Sequence, residues 1–198
     1  MTIRLALFGL IAGLFVSVIY VSTKPMIIES KKEARLAQLY ALAKPLLIEG
    51  RIEAPVEKRL STGAPVTLTN PLMVTPIFHA QKQIGSVIPF QSLEGYSGTI
   101  QLLLALDTDQ TIVGLRAVDH RETPGLGDQI DLRKSDWILD FNALSLNDLE
   151  AKDWAVKKDG GQFDSFTGAT ITPRAVIKAL HDTLVYLDAN PAILEVTP

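Results

Sequence analysis

The chain has 198 residues, 47% hydrophobic and 21% charged, with a formal net charge of −3 and no cysteine. That is enough apolar material for one domain of ordinary size plus an anchor, and the mild negative charge gives no basis for nucleic-acid binding. Without thiols there is no disulfide framework, thiolate zinc site or cysteine-held iron–sulfur cluster, and His79, His120 and His181 are too scattered for an imidazole-rich metal centre.

Residues 5–22 form the first element, a run that no charge interrupts. At a helical rise of about 1.5 Å per residue it approaches the roughly 30 Å hydrocarbon core of a bilayer, so a single spanning helix is expected, with Tyr20 near an interface. Arg4 followed by an apolar stretch also fits a cleaved signal peptide, but the run is long for one and no small-x-small cleavage pattern follows it. Arg4 lies on one side of the run and Lys24, Lys31, Lys32 and Arg35 on the other, so basic residues alone leave the orientation open.

Residues 26–48 are helix-forming, either a stalk or a segment docked on the domain, with breaks expected at Pro25 and Pro45. The chain therefore divides into an anchor (1–23), a helical segment (24–50) and a domain (51–198). Residues 49–76 are rich in Pro, Thr and Gly and read as irregular connection with short strands. Strands are expected at 74–78 and 84–90, and the strongest sheet signal is a hairpin of 98–107 and 111–118 around Thr108-Asp109-Gln110. A helix over 137–149, a strand over 153–157 and a turn at Lys158-Asp159-Gly160-Gly161 complete an α+β domain with a mainly antiparallel sheet flanked by helices.

Asp164-Ser165-Phe166-Thr167-Gly168-Ala169-Thr170 comes next, followed at once by Ile171-Thr172-Pro173. Thr172 suits a helix N-cap and Pro173 the first helical position. Ala175, Val176, Ala179, Leu180, Leu184 and Leu187 then share one apolar stripe, opposite Arg174, Lys178 and Asp182. The free N–H groups and positive dipole end of such a helix favour a phosphate near Thr170, and Gly168 permits close approach. Ser61-Thr62-Gly63-Ala64 shares the core of this pattern but lacks the upstream Asp and runs into Pro65, so it reads as a plain loop.

The pattern D-x-x-T-G-A-T resembles the acceptor motif of FMN-binding proteins, in which a flavin transferase joins the phosphate of FMN to a threonine through a phosphoester. The resemblance implies covalent FMN on Thr170, with Thr167, Gly168 and Ala169 shaping the loop; Thr167 stands where Ser is common, which keeps the hydroxyl. Asp164 either orients the loop and helps hold the transferase's metal, or is an Asx-turn residue. Lys157 and Lys158 either place positive charge near the ring or are solvated turn residues. Trp137 and Trp154 are expected in the core.

A second motif follows the hairpin: Glu122, Thr123, Pro124, Gly125, Leu126 and Gly127, a loop with two flexible turns that allow close approach to a flat ligand. His120, Glu122 and Asp128 are poorly arranged for a metal. Together with Gly95-Tyr96-Ser97-Gly98, the two motifs resemble the G subunit of the Rnf (Rsx) membrane electron-transport complex and, more distantly, the C subunit of the sodium-pumping NADH:quinone oxidoreductase. That resemblance covers the anchor and residues 95–187. It implies a bacterial inner-membrane protein with its domain on the periplasmic side, other membrane subunits and a flavin transferase as partners, and the loop of residues 122–127 beside the flavin. Two rival classes remain on the residues: a cofactor-free assembly module, and a hydrolase with Thr170 as nucleophile, for which no base partner is evident.

Overall fold

The computed structural model describes residues 2–48 and 50–197. Met1, Glu49 and Pro198, which belong to the expected anchor, connection and domain, lie outside the described residues, as do the side chains of residues 2–5, 31, 32 and 35. Helix α1 (Thr2–Ala43) contains a 25-residue stretch, Ala6–Ser30, that is long and apolar enough to cross a membrane. At about 1.5 Å per residue it rises roughly 37 Å, more than the hydrocarbon thickness of a bilayer. The break expected at Pro25 does not occur, because α1 runs through it. Proline removes the one backbone donor that would bond the Val21 carbonyl, a loss that helices long and apolar enough to span a membrane tolerate. Nearby, Thr23 Oγ1 donates to the carbonyls of Ile19 (2.9 Å) and Tyr20 (3.3 Å). The break at Pro45 does occur, since α1 ends at Ala43 and one 3₁₀ turn, Leu46–Ile48, follows.

A second compact unit, Leu39–Pro198, holds the sheet. Its strands are β1 (Arg51–Ile52), β2 (Val56–Lys58), β3 (Leu72–His79), β4 (Lys82–Gly95), β5 (Gly98–Asp107) and β6 (Ile112–Asp119). The order is β1-β3-β4-β5-β6, with β2 also on β3, and every pair is antiparallel. The expected strands at 74–78 and 84–90 lie within the longer β3 and β4. The expected hairpin is β5–β6, with Leu104 opposite Leu115. Its turn is closed by Asp107 Oδ1, which accepts from the N–H groups of Asp109 and Thr111, both at 2.9 Å.

Strand β5 reads as an unbroken apolar run because the sheet is covered on both faces. Leu102, Leu104 and Leu106 point into the main core with Ile88 and Phe90, against Val176, Leu180 and Leu184 of helix α2 (Ile171–Ala189). Leu103 and Ala105 point the other way, into a smaller cluster with Leu42, Ala43, Ile77 and Val87. The end of α1 thus caps the second face within this unit. Gly114 of β6 makes that contact possible, since a Cβ there would lie 2.5 Å from Leu42 Cδ1.

Two expected elements are not formed. The helix over 137–149 is replaced by 3₁₀ turns at Trp137–Phe141 and Leu146–Asp148. Edge strand β6 draws the intervening backbone away: Ile112 N donates to Leu144 O at 2.8 Å and Ala143 N to Ile112 O at 2.7 Å. The strand over 153–157 shrinks to a single bridge between Val156 and Phe163. Left-handed Gly160 (φ 88°) and the Gly161 N to Val156 O bond turn the chain back on itself, so Val156 pairs locally. Trp137, Phe141, Trp154, Phe163 and Phe166 form an aromatic cluster in the core, so both tryptophans are core residues.

Leu42 is 1% exposed, and truncating it leaves a cavity between the end of α1 and the sheet. Leu42→Ala is expected to cost about 2–5 kcal/mol of domain stability, read by chemical denaturation of the detergent-solubilised chain.

Candidate functional site

Three segments far apart in sequence meet at one buried carboxylate. Glu122, 4% exposed, follows β6; Ser97 lies at the β4–β5 tip and Thr172 in the first turn of α2. Glu122 Oε1 accepts from the Ser97 N–H at 3.0 Å. Its Oε2 accepts a short hydrogen bond from the Thr172 hydroxyl. A buried carboxylate is tolerated when its oxygens take hydrogen bonds in this way. Backbones of two motif glycines pack against the same group: a Cβ at Gly95 would lie 3.0 Å from Oε1, and one at Gly127 2.9 Å from Oε2 and 2.7 Å from Thr172 Oγ1. Glycine is required at Gly127 by its contact with Glu122 and Thr172, and at Gly95 first by the Gly98 carbonyl, 2.3 Å from where a Cβ would lie, and then by Ile100 and the carboxylate.

The rest of the loop is held by its own polar groups. Asp128 Oδ1 accepts from Gly125 N at 2.7 Å, Leu126 N donates to Thr123 O at 3.1 Å, and Gly125 takes the left-handed conformation (φ 77°). His120 Nδ1 accepts from the Glu122 N–H at 3.3 Å. His120, Glu122 and Asp128 are thus engaged in loop hydrogen bonds, and among the described residues no group of three such side chains is arranged for a metal.

The D-x-x-T-G-A-T segment is anchored from below by its aromatic residue. Phe166 is buried edge-on against Trp137, with ring centroids 5.0 Å apart, and the Trp137 indole Nε1 donates to Asp164 O at 2.9 Å. Ala169 N closes on Phe166 O at 3.2 Å, and Gly168 (φ 78°) supplies the left-handed turn. The backbone of the motif is thereby fixed while Thr167, Gly168 and part of Thr170 stay accessible.

Helix α2 begins at Ile171 and its N-cap position is Thr170, not Thr172 as the sequence suggests. The Thr172 hydroxyl is committed to Glu122 and cannot cap. Pro173 falls within the first turn, where its missing N–H has no intrahelical partner to lose. Thr170 (φ −84°, ψ −18°) makes no side-chain capping bond. Its Oγ1 instead accepts from Arg174 Nη1 at 3.1 Å, beside the positive end of α2.

A cavity of about 280 Å³ lies between the two motifs. Glu122, Thr123, Leu126 and Gly127 line it from one side, and Gly168, Ala169 and Thr170 from the other. Pro124, Gly125, Asp164 and Thr167 do not line it. Tyr96, Ile171 and Thr172 do, although sequence alone does not single them out as residues that line a ligand site. Asp164 makes an exposed ion pair with Lys157 (2.7 Å); its backbone carbonyl, taken by Trp137, is what orders the motif. Leu126, Ala169, Ile171 and the Tyr96 ring form an apolar wall suited to a flat aromatic ring. The Thr170 hydroxyl and the first turn of α2 supply the features that accept an anion, and Arg174, which lines the neighbouring cleft with Asp159, reaches Thr170 Oγ1 from outside the cavity.

The family model for an FMN-binding domain matches residues 95–185. The G subunit of the ion-translocating oxidoreductase complex from Pseudomonas aeruginosa is 40% identical over 190 residues, covering 94% of this chain and 86% of the relative. The corresponding Escherichia coli K12 protein is 49% identical over 117 residues, 59% of this chain and 57% of that protein. That of Pseudoalteromonas atlantica is 56% identical over 111 residues, 56% of this chain. The match spans about half the length of the Pseudoalteromonas protein, 52%. The chain belongs to the family of G subunits of ion-translocating oxidoreductase complexes.

Glu122→Ala removes the acceptor for two donors and is expected to destabilise the domain by on the order of 2–4 kcal/mol, with Glu122→Gln costing less because its amide oxygen still accepts. Urea denaturation of both variants checks this. A second expectation concerns pH. The Arg174 guanidinium holds the Asp159 carboxyl below its ordinary value of 3.8. A depressed carboxylate pKa contributes above the unfolded value and is lost as pH falls through the folded one. The pair should therefore stay intact through neutral pH and break only below that ordinary value, as followed by NMR titration of the Asp159 carboxyl carbon.

Proposed function

We propose that this chain is the membrane-anchored flavoprotein subunit of a bacterial Rnf-type electron-transport complex, carrying FMN esterified through its phosphate to Thr170 and relaying electrons between other membrane subunits. The observation that carries this reading is the cavity lined by both motifs, by Gly168, Ala169 and Thr170 from one and by Glu122, Thr123, Leu126 and Gly127 from the other. When bound, FMN supplies reversible one- and two-electron redox chemistry, and no protein side chain performs a chemical step on a substrate.

The protein's part is to bind and orient. Thr170 Oγ1 gives the point of attachment, and the first turn of α2 and Arg174 favour the phosphate charge. Leu126 and Tyr96 line the cavity and would form a wall for the ring, and Glu122 keeps the loop and helix start together. The anchor at 1–23, the helical segment at 24–50 and the domain at 51–198 make a single-pass protein of the bacterial inner membrane, and likeness to the family supports a domain on the periplasmic side. Installation of the flavin requires a flavin transferase as a partner during maturation. The wider complex supplies the electron donor and acceptor.

Thr170→Ala should abolish covalent flavin while leaving the fold intact, because Thr170 caps nothing and is only half buried. Flavin fluorescence on a denaturing gel of the chain co-expressed with a flavin transferase is the check. Undiminished fluorescence in the Thr170→Ala protein would move the attachment point elsewhere.

A further inference from the structure

Arg174 lies one helical turn beyond Thr170, and its guanidinium is held in a fixed plane. Nε donates to Asp159 Oδ2 at 2.6 Å and Nη2 to Asp159 Oδ1 at 2.7 Å, a bidentate grip that leaves Nη1 to donate to Thr170 Oγ1 at 3.1 Å. Both edges of the planar fork are thus in use at once, a geometry that an ammonium cannot reproduce.

Asp159 is itself well placed for this grip. It ends the 3₁₀ turn Lys157–Asp159, which left-handed Gly160 terminates. Asp159 N donates to Val156 O at 2.8 Å and Lys157 N to Phe163 O at 2.7 Å, and Val156 and Phe163 are both core residues. The turn that grips Arg174 is therefore tied to the aromatic cluster and is not a free surface loop. Two neighbouring cations are engaged with other carboxylates: Lys157 with Asp164, and Lys178 with Glu94.

We propose that Arg174 is the residue that holds the phosphate of the flavin attached at Thr170, and that Asp159 is the positioning residue that aims it. The proposal rests on the reading of Thr170 as the attachment point. Once Oγ1 is part of a phosphoester, the non-bridging oxygens lie just beyond it, within the sweep of the Nη1 that already touches Oγ1. Those oxygens carry the negative charge, so the guanidinium's acceptor changes from a neutral hydroxyl to an anion and the contact becomes an ion pair. The first turn of α2 offers backbone N–H groups to the same oxygens. A surface arginine that merely pairs with Asp159 would contribute little and would have no reason to reach the threonine hydroxyl.

The test uses the full chain co-expressed with a flavin transferase, with the flavin-bearing fraction followed over time by intact mass and the attached phosphate observed by 31P NMR in detergent. Arg174→Ala is expected to slow loading at least tenfold and to shift the phosphorus resonance. Arg174→Lys should fall between it and the natural protein, and Asp159→Asn should slow loading less than Arg174→Ala. Circular dichroism melting screens each variant for folding, and Arg174→Gln, which keeps the bulk of the stem, replaces the alanine variant if that one does not fold. Loading at the natural rate with an unshifted resonance overturns the proposal. Slow loading with an unshifted resonance overturns it too, because the arginine would then serve the transferase and not the phosphate. If the natural chain takes up no flavin, or Thr170→Ala loads as well as it does, the attachment reading has failed instead.

Discussion

The Glu122 carboxylate is the constraint on which the site depends. A buried charge must be surrounded by donors, and the donors here come from the β4–β5 tip and from the first turn of α2. Satisfying one side chain thus fixes the relative placement of three chain segments, and the cavity is the space left between them. Gly127 follows from the same cause, since its backbone lies against Glu122 and the Thr172 hydroxyl that bonds it, while Gly95 is held glycine first by the Gly98 carbonyl across the β4–β5 tip. Two sequence motifs that look unrelated are two sides of one hydrogen-bonded contact.

Around this contact the domain divides into a rigid part and an accessible part. The sheet is packed on one face by α2 and on the other by the end of α1, so β5 is apolar without break from Leu102 to Leu106 and register is set on both sides. The aromatic cluster of Trp137, Phe141, Phe163 and Phe166 then fastens the threonine-bearing segment to that core from underneath. Gly168 and Thr170 rise from this base with their upper surfaces open. The proposed attachment at Thr170 fits such an arrangement: a backbone tied to the core beneath a threonine hydroxyl that stays accessible.

Much of this was legible in the sequence because it rests on local patterning. The β5–β6 hairpin announces itself by its apolar runs, and the buried stripe of α2 from Ala175 to Leu187 follows helical spacing residue by residue. The two site loops were recognisable by their glycines and by the Asp164–Thr170 wording. Errors arose where partners distant in sequence took over a residue. Thr172 looks like an N-cap until Glu122, fifty residues earlier, claims its hydroxyl. Residues 143 and 144 look helical until β6 recruits their backbone. Arg174 was visible only as part of a polar face; that its fork joins Asp159 to Thr170 is a three-dimensional fact with no local signature.

The proposed attachment of FMN at Thr170 is tested most directly by peptide mapping of native protein from its own membrane. The predicted result is a proteolytic fragment spanning Thr170 that is heavier by one FMN less one water, with fragmentation placing the added mass on that threonine. A Thr170 fragment weighing only what its amino acids weigh, in material that is otherwise fully recovered, would contradict the central claim.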